Sequence, residues 1–126
     1  MWMDFALGRS TFRLSALINS TNKWIGVCLV IDGPDARSHF SLLHEHKDVI
    51  EHEMGTALEW RELPNKKQRR VRLRNSALSP TIREQWPQQH AWLKDTLESF
   101  GTVFGPRVKS LNAAAYVPTG FDAPAP

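Results

Sequence analysis

The eight-residue run "WIGVCLVI", residues 24 to 31, limits the possible folds more than any other part of the chain. Its residues are apolar at both odd and even positions, which is typical of a central strand whose two faces are both at least partly covered. The preceding segment "FRLSALIN" alternates between apolar and mostly polar residues, the pattern of a strand with one buried face. Because residues 19 to 23 have turn chemistry, the two segments predict a hairpin.

The next segment changes to a helical spacing of apolar residues. The residues from Asp32 to Asp35 break the strand, Asp35 is suited to cap a helix, and Gly55 is suited to end it. The spacing predicts one helix over residues 36–54 with an apolar stripe on one side. That stripe consists of Ala36, Phe40, Leu43, Ile50 and Met54, with Lys47 as a polar interruption.

Two further strands and a second helical region follow. The strands are predicted in "ALEWREL" and "RRVRLRNS". Ser79-Pro80 has the chemistry of a helix start, Pro87 is expected to kink or restart the helix, and Gly105-Pro106 is expected to close it. In chain order these elements predict an α+β domain of ββαββα type, a four-stranded, mainly antiparallel sheet with two amphipathic helices on one face. We expect this single domain to span residues 5–111 and the Ala/Pro-rich residues 112–126 to form a flexible tail.

Composition places the chain among soluble proteins of a reducing compartment. With 126 residues and 41% apolar composition, the chain can bury one core. Its single cysteine, Cys28, cannot form an internal disulfide. The longest apolar run is far shorter than the roughly 20 residues of a membrane-spanning helix. The expected location is the cytoplasm, without a membrane partner.

Charge is distributed unevenly along the chain. From Asp32 to Glu53 there are six acids and two bases, a net charge of −4, whereas from Arg61 to Arg74 there are seven bases and one acid, a net charge of +6. In the predicted fourth strand Arg70, Arg72 and Arg74 share one face at a spacing of about 6.6 Å, which can follow a phosphate backbone. The cations Lys66, Lys67 and Arg69 are expected to extend this charge through the preceding turn.

Neighbouring side chains leave three interpretations of this basic strand open. Glu59 and Arg61 are expected on the outward face of the adjacent strand, but one carboxylate, or two with Glu62, is too few to neutralise the cluster. Trp24 is expected on the same outward face, where it could stack on a base or anchor a partner protein. The strand could therefore bind nucleic acid, dock a protein, or be merely solvated.

Catalytic and metal-binding patterns are weak. Asp35 with Glu45-His46-Lys47 has the residue types of a Mg²⁺-dependent nuclease, but the expected helix points Glu45 and Lys47 apart. Glu59-Trp60-Arg61 has Arg where such a site needs Lys. A helical stripe of His44, Asp48 and His52 could hold zinc, but it rotates too far for one ion. No enzyme activity, metal or cofactor is predicted.

Several ordered segments resemble a known family. The pieces "LEWRELPNKK" and "QWPQQHAWL", followed by "VFGPRVK", are the most specific, and the likeness covers about residues 5 to 111. The chain resembles the prokaryotic family catalogued as domain of unknown function 4268. This resemblance implies an accessory module of the kind that often follows a restriction-endonuclease-like nuclease domain, and it supplies no catalytic residues.

Together these observations predict a non-catalytic nucleic-acid-binding accessory module in a nuclease or genome-defence context, with DNA favoured over RNA. The predicted contacts are Lys66, Lys67, Arg69, Arg70, Arg72, Arg74, Arg61 and Trp24. The alternative is a protein-interaction module that docks onto a nuclease-like partner through the exposed sheet face. The sequence does not predict an oligomeric state.

Overall fold

A computed structural model describes residues 2–7, 9–61 and 68–111. Five strands form one antiparallel sheet: β1 (Trp2–Ala6), β2 (Phe12–Asn19), β3 (Trp24–Ile31), β4 (Glu59–Arg61) and β5 (Arg69–Asn75). Their spatial order is β1-β2-β3-β5-β4, so the doubly apolar β3 is the central strand, as its sequence predicted. The α+β class and the antiparallel sheet are confirmed, but the prediction of four strands is wrong because β1 was missed. The β1 sequence WMDFA does not alternate, because Asp4 is its only polar residue.

The structure has three α-helices in the described residues: α1 (Ala36–His44), α2 (Lys47–Met54) and α3 (Trp86–Ser110). Helices α1 and α3 pack against the sheet, and α2 packs against α3. The prediction of two helices is wrong, because the helix expected over residues 36–54 is interrupted by a turn at Glu45 and His46. His46 leaves helical geometry, and the chain restarts so that Ile50 is fully buried while Lys47 stays partly exposed. Gly55 ends α2 in the left-handed conformation that its position predicted.

The bounds of the last helix also differ from the expectation. A 3-10 turn (Arg83–Gln85) precedes α3, and Pro87 lies in the first helical turn, where its missing N–H costs nothing. Pro106 does not close the helix, which continues for another turn to Ser110. Val108 beyond the proline is fully buried, and this packing compensates for the hydrogen bond that Pro106 cannot donate.

The core lies between the helices and the sheet face that we call the inner face. Directly paired residues point to the same side, so the register places alternate residues of β2, β3 and β5 on this face. Its fully buried members include Ile25, Val27, Leu29, Ile31 and Val71 from the sheet and Phe100, Phe104 and Val108 from α3. Among the described residues no helix combines the length and the apolarity that crossing a membrane requires.

The tail predicted at residues 112–126 lies outside the described residues, as do Lys66 and Lys67.

Candidate nucleic-acid interface

The opposite side of the sheet, which we call the outer face, carries the predicted arginines. The register pairs Arg70 with Val30, Arg72 with Cys28 and Arg74 with Gly26. On the far side of β5, Glu59 is paired with Arg72 and Arg61 with Arg70. The structure therefore brings Arg61, Arg70, Arg72 and Arg74 together on one surface, together with Trp24, two residues before Gly26 on β3.

Arg69 occupies a different place from the one expected. It is the first residue of β5, it is paired with Ile31 on the inner face, and it is only 8% exposed. The alternation of a strand explains this: if Arg70 points outward, its neighbour must point inward. The expectation that Arg69 extends the outward charge is corrected by this geometry.

One carboxylate serves two of the arginines. Arg72 donates from Nη2 to Glu59 Oε2 over 3.0 Å, and Arg74 donates from Nε to Glu59 Oε1 over 2.7 Å. Burial raises the pKa of Glu59, but the hydrogen bonds and charges of Arg72 and Arg74 outweigh this effect and hold the pKa below its ordinary value. Glu59 is therefore ionised at neutral pH, and it neutralises one of the two positive charges that it contacts.

The guanidinium groups of Arg72 and Arg74 both lie over the indole ring of Trp24. The Cζ atoms of Arg72 and Arg74 are 5.4 and 5.7 Å from the centre of the indole ring, within the range of cation–π attraction. The ring has room there because residue 26 is a glycine: a Cβ on Gly26 would lie 3.1 Å from Trp24 Cζ3 and 2.9 Å from the carbonyl oxygen of Leu73. Sequence reasoning missed Gly26, although a glycine inside an apolar strand indicates a close approach of this kind.

A second ion-pair group neutralises the other half of the outer face. Arg13 on β2 forms salt bridges to Asp32 and, over 3.6 Å, to Asp4. The Asp4 carboxylate also accepts a hydrogen bond from Ser15. Around Arg13 two acids therefore face one base, whereas around β4 and β5 one acid faces four bases among the described residues.

Cys28 lies fully buried on the outer face between these two groups. Burial raises the pKa of its thiol to about 11, against the lowering effects of Arg70, Arg72, Arg61 and Arg13. A thiol in this state carries no charge at neutral pH. The uncharged Cys28 thiol therefore does not offset the positive charge of these four arginines.

The residues of the weaker nuclease pattern lie elsewhere. Asp35 precedes α1, and Glu45 lies in the turn between α1 and α2 rather than in mid-helix as expected. The remaining carboxylate of that hypothesis, Glu59, is held by Arg72 and Arg74. The absence of catalysis stays a prediction.

The zinc stripe is divided by the same turn. His44 ends α1, where its ring packs against Trp60 with centroids 5.3 Å apart, while Asp48 and His52 belong to α2. Within the described part of the chain, no group of three His, Cys, Asp or Glu residues is arranged to hold a metal ion.

Comparison with known proteins gives a family without a known activity. No curated protein and no solved structure matches the chain. The model of one family matches residues 1–108, and its description is Domain of unknown function (DUF4268). The chain, with its five-stranded sheet and arginine-bearing outer face, therefore belongs to the DUF4268 family.

Proposed function

We propose that the outer face is a non-catalytic nucleic-acid-binding surface that contacts the phosphate backbone. The observation that carries this proposal is the charge balance on the outer face of β4 and β5, where the described residues are four arginines, Arg61, Arg70, Arg72 and Arg74, and one carboxylate, Glu59. Arginine matches phosphate well, since its planar guanidinium donates two parallel hydrogen bonds. The nuclease or genome-defence setting rests on the family resemblance alone.

The position of Trp24 supports contact with a nucleic acid. Its indole lies beside Arg72 and Arg74, and Arg74 is exposed, so an aromatic surface and a positive charge are adjacent on the sheet. Sheet faces that bind single strands combine stacking side chains with a basic surface. The contacts proposed now are Arg61, Arg70, Arg72, Arg74 and Trp24. Arg69 is excluded by its burial, and Lys66 and Lys67 lie outside the described residues.

A salt series with charge-matched variants tests the proposal. Binding of labelled single- and double-stranded DNA and RNA is measured by fluorescence anisotropy for the unchanged protein, for Arg70→Gln/Arg74→Gln, and for Lys94→Gln/Lys109→Gln. Both variants lose two positive charges, but Lys94 and Lys109 are exposed on α3, in the helical layer. Phosphate contact predicts a salt slope of about −0.7 to −0.9 per neutralised phosphate.

The expected result is that the arginine variant binds weakly with a shallower salt slope, while the lysine variant keeps its affinity within about two-fold. Equal loss in both variants would show that only net charge matters and would overturn the proposed surface. An absence of affinity for every nucleic acid at low salt would overturn the proposal and favour protein docking through the same face. Circular dichroism checks that each variant is folded.

A further inference from the structure

Arg61 and Arg70 are opposed across β4 and β5, and no carboxylate of the described residues is paired with either of them. Their Cα atoms are register partners, and both side chains project from the outer face. Directly opposed residues have Cβ atoms about 4.5 to 5.5 Å apart, and like charges at such a pair destabilise a sheet. No ion pair formed among the described residues includes either arginine.

The neighbouring row of the same two strands provides an internal comparison. There, β4 places Glu59 opposite Arg72, and the carboxylate also reaches Arg74. Two residues further along β4, the corresponding position is held by Arg61 instead of an acid. Arg72 and Arg74 thus share the carboxylate of Glu59, whereas Arg61 and Arg70 share no carboxylate of the described residues.

The hydrogen bonds of Arg70 also leave capacity for an anion. Its Nη2 donates to Gln68 Oε1 over 3.1 Å, which is a neutral acceptor. Its Nε is buried and, like the Nε of Arg72, has no hydrogen-bond partner among the described residues. A buried donor without an acceptor is costly, and an acceptor that is also negatively charged would relieve both the missing bond and the repulsion.

The acids that form ion pairs on the described part of the outer face are engaged by other arginines. Asp4 and Asp32 bind Arg13, and Glu59 binds Arg72 and Arg74. Cys28, which is influenced by the charges of Arg70, Arg72, Arg61 and Arg13, is a neutral thiol. Within the described residues the missing negative charge is therefore not supplied by the protein.

We propose that Arg61 and Arg70 form a discrete site for one phosphate group, separate from the Arg72 and Arg74 pair, where Glu59 already takes the place of an anion. This proposal deepens the proposed function and rests on it for the source of the phosphate. That source is either a phosphodiester within a strand or the terminal phosphate of a nucleotide. In both cases the two guanidinium groups hold the non-bridging oxygens.

Titration with small phosphates tests the site without a long nucleic acid. The arginine Nε–H signals of ¹⁵N-labelled protein are followed by NMR at constant ionic strength while inorganic phosphate is added. Two further titrations use thymidine 5′-monophosphate and a thymidine dinucleotide without a terminal phosphate. The only phosphate of the first is terminal, and the only phosphate of the second is a phosphodiester. Tighter binding of the first identifies a site for strand ends, and tighter binding of the second identifies a site within a strand.

The expected result is saturable binding that shifts the signals of Arg61 and Arg70. Arg61→Gln and Arg70→Gln should each weaken it about ten-fold or more, and Arg74→Gln should change it by less than about two-fold. Arg61→Lys keeps the charge but loses the paired donors, so its loss of phosphate affinity should lie between the two-fold and ten-fold limits. This variant keeps the test valid if Arg61→Gln does not fold.

Equal weakening by Arg74→Gln, or non-saturable shifts at all arginines, would overturn the discrete site. So would the absence of any shift, as expected if Glu62, outside the described residues, supplied the charge. If small phosphates saturate the pair while oligonucleotides do not bind, the site stands and the proposed function fails. If oligonucleotides bind but small phosphates do not saturate the pair, the function stands and the site fails.

Discussion

The guanidinium of Arg9 lies 3.4 Å, from Nη2 to Nε2, from the buried imidazole of His39. The same guanidinium donates from Nη1 to the backbone carbonyl oxygens of Val108 and Leu111, over 3.0 and 2.7 Å. One side chain near the start of the chain thus joins α1 to the end of α3. These contacts have two consequences for stability.

The first consequence is that the protein becomes less stable at acidic pH. Burial and the charge of Arg9 lower the pKa of His39 from its ordinary 6.5, and Asp35 opposes them weakly. The unfolded chain therefore takes up a proton on His39 more readily than the folded chain does. Because of this difference, the contribution of neutral His39 to the free energy of unfolding is complete above pH 6.5 and decreases as the pH falls below it. Urea unfolding of His39→Gln should show a shallower decrease between about pH 7 and about pH 5.

The exposed His90 provides the control for this measurement, because His90→Gln should leave the pH profile of the unchanged protein intact. A His39→Gln profile as steep as the original would show that another group causes the acid sensitivity.

The second consequence is that Arg9 stabilises the last turn of α3 beyond Pro106. Arg9→Met removes two charge-assisted hydrogen bonds from partly buried carbonyls, so we expect the free energy of unfolding to fall by about 1 to 3 kcal/mol. Amide hydrogen exchange should become faster in the last turn of α3. Lys94→Met, at an exposed position in the middle of the same helix, should produce neither change. Unchanged exchange in the Arg9 variant would mean that burial of Val108 alone holds this turn.

Substitution of Gly26 should displace the Trp24 ring on the outer face. In Gly26→Ala the new Cβ would meet the Leu73 carbonyl at 2.9 Å and the Trp24 ring at 3.1 Å, so the ring and the strand must shift. We expect a loss of about 1 to 3 kcal/mol in the free energy of unfolding. Gly101→Ala in α3 is the matched control, because a Cβ there meets no atom of the described residues within 4 Å and alanine improves helix propensity. Equal effects of the two substitutions would contradict this account of Gly26.

Removal of the Glu59 charge should strengthen nucleic-acid binding if the outer face contacts phosphate. Glu59→Gln leaves Arg72 and Arg74 without their counter-charge, so affinity at low salt should rise and the salt slope should steepen by up to about one phosphate equivalent. The cost in stability should be at most about 1 kcal/mol, because this ion-pair group is partly exposed. Anisotropy titrations across a salt series measure the binding effect.

Glu98→Gln on α3 removes the same charge from an exposed position in the helical layer and should have little effect on binding. Weaker binding by Glu59→Gln would instead show that the carboxylate holds the two arginines in a binding geometry.

Strand alternation predicted correctly the directions of most side chains on the outer face of β3, β4 and β5. The outward directions of Arg70, Arg72 and Arg74, the position of Trp24 on the same face and the outward Glu59 all follow from the two-residue period of a strand. The same rule required Arg69 to point inward, and treating it as part of a turn caused that error. The pairing of Glu59 with both Arg72 and Arg74 was only partly foreseen, because a register between strands cannot be derived from one strand.

By itself the sequence determined the α+β class, the central place of β3 and the alternation within each strand, since these depend on residues close together in the chain. Tertiary structure decided the order β3-β5-β4, the opposition of Arg61 and Arg70, and the extension of α3 beyond Pro106. Those features depend on which distant segments pack together, and the energy of that packing overrides local preferences such as the helix-ending tendency of proline.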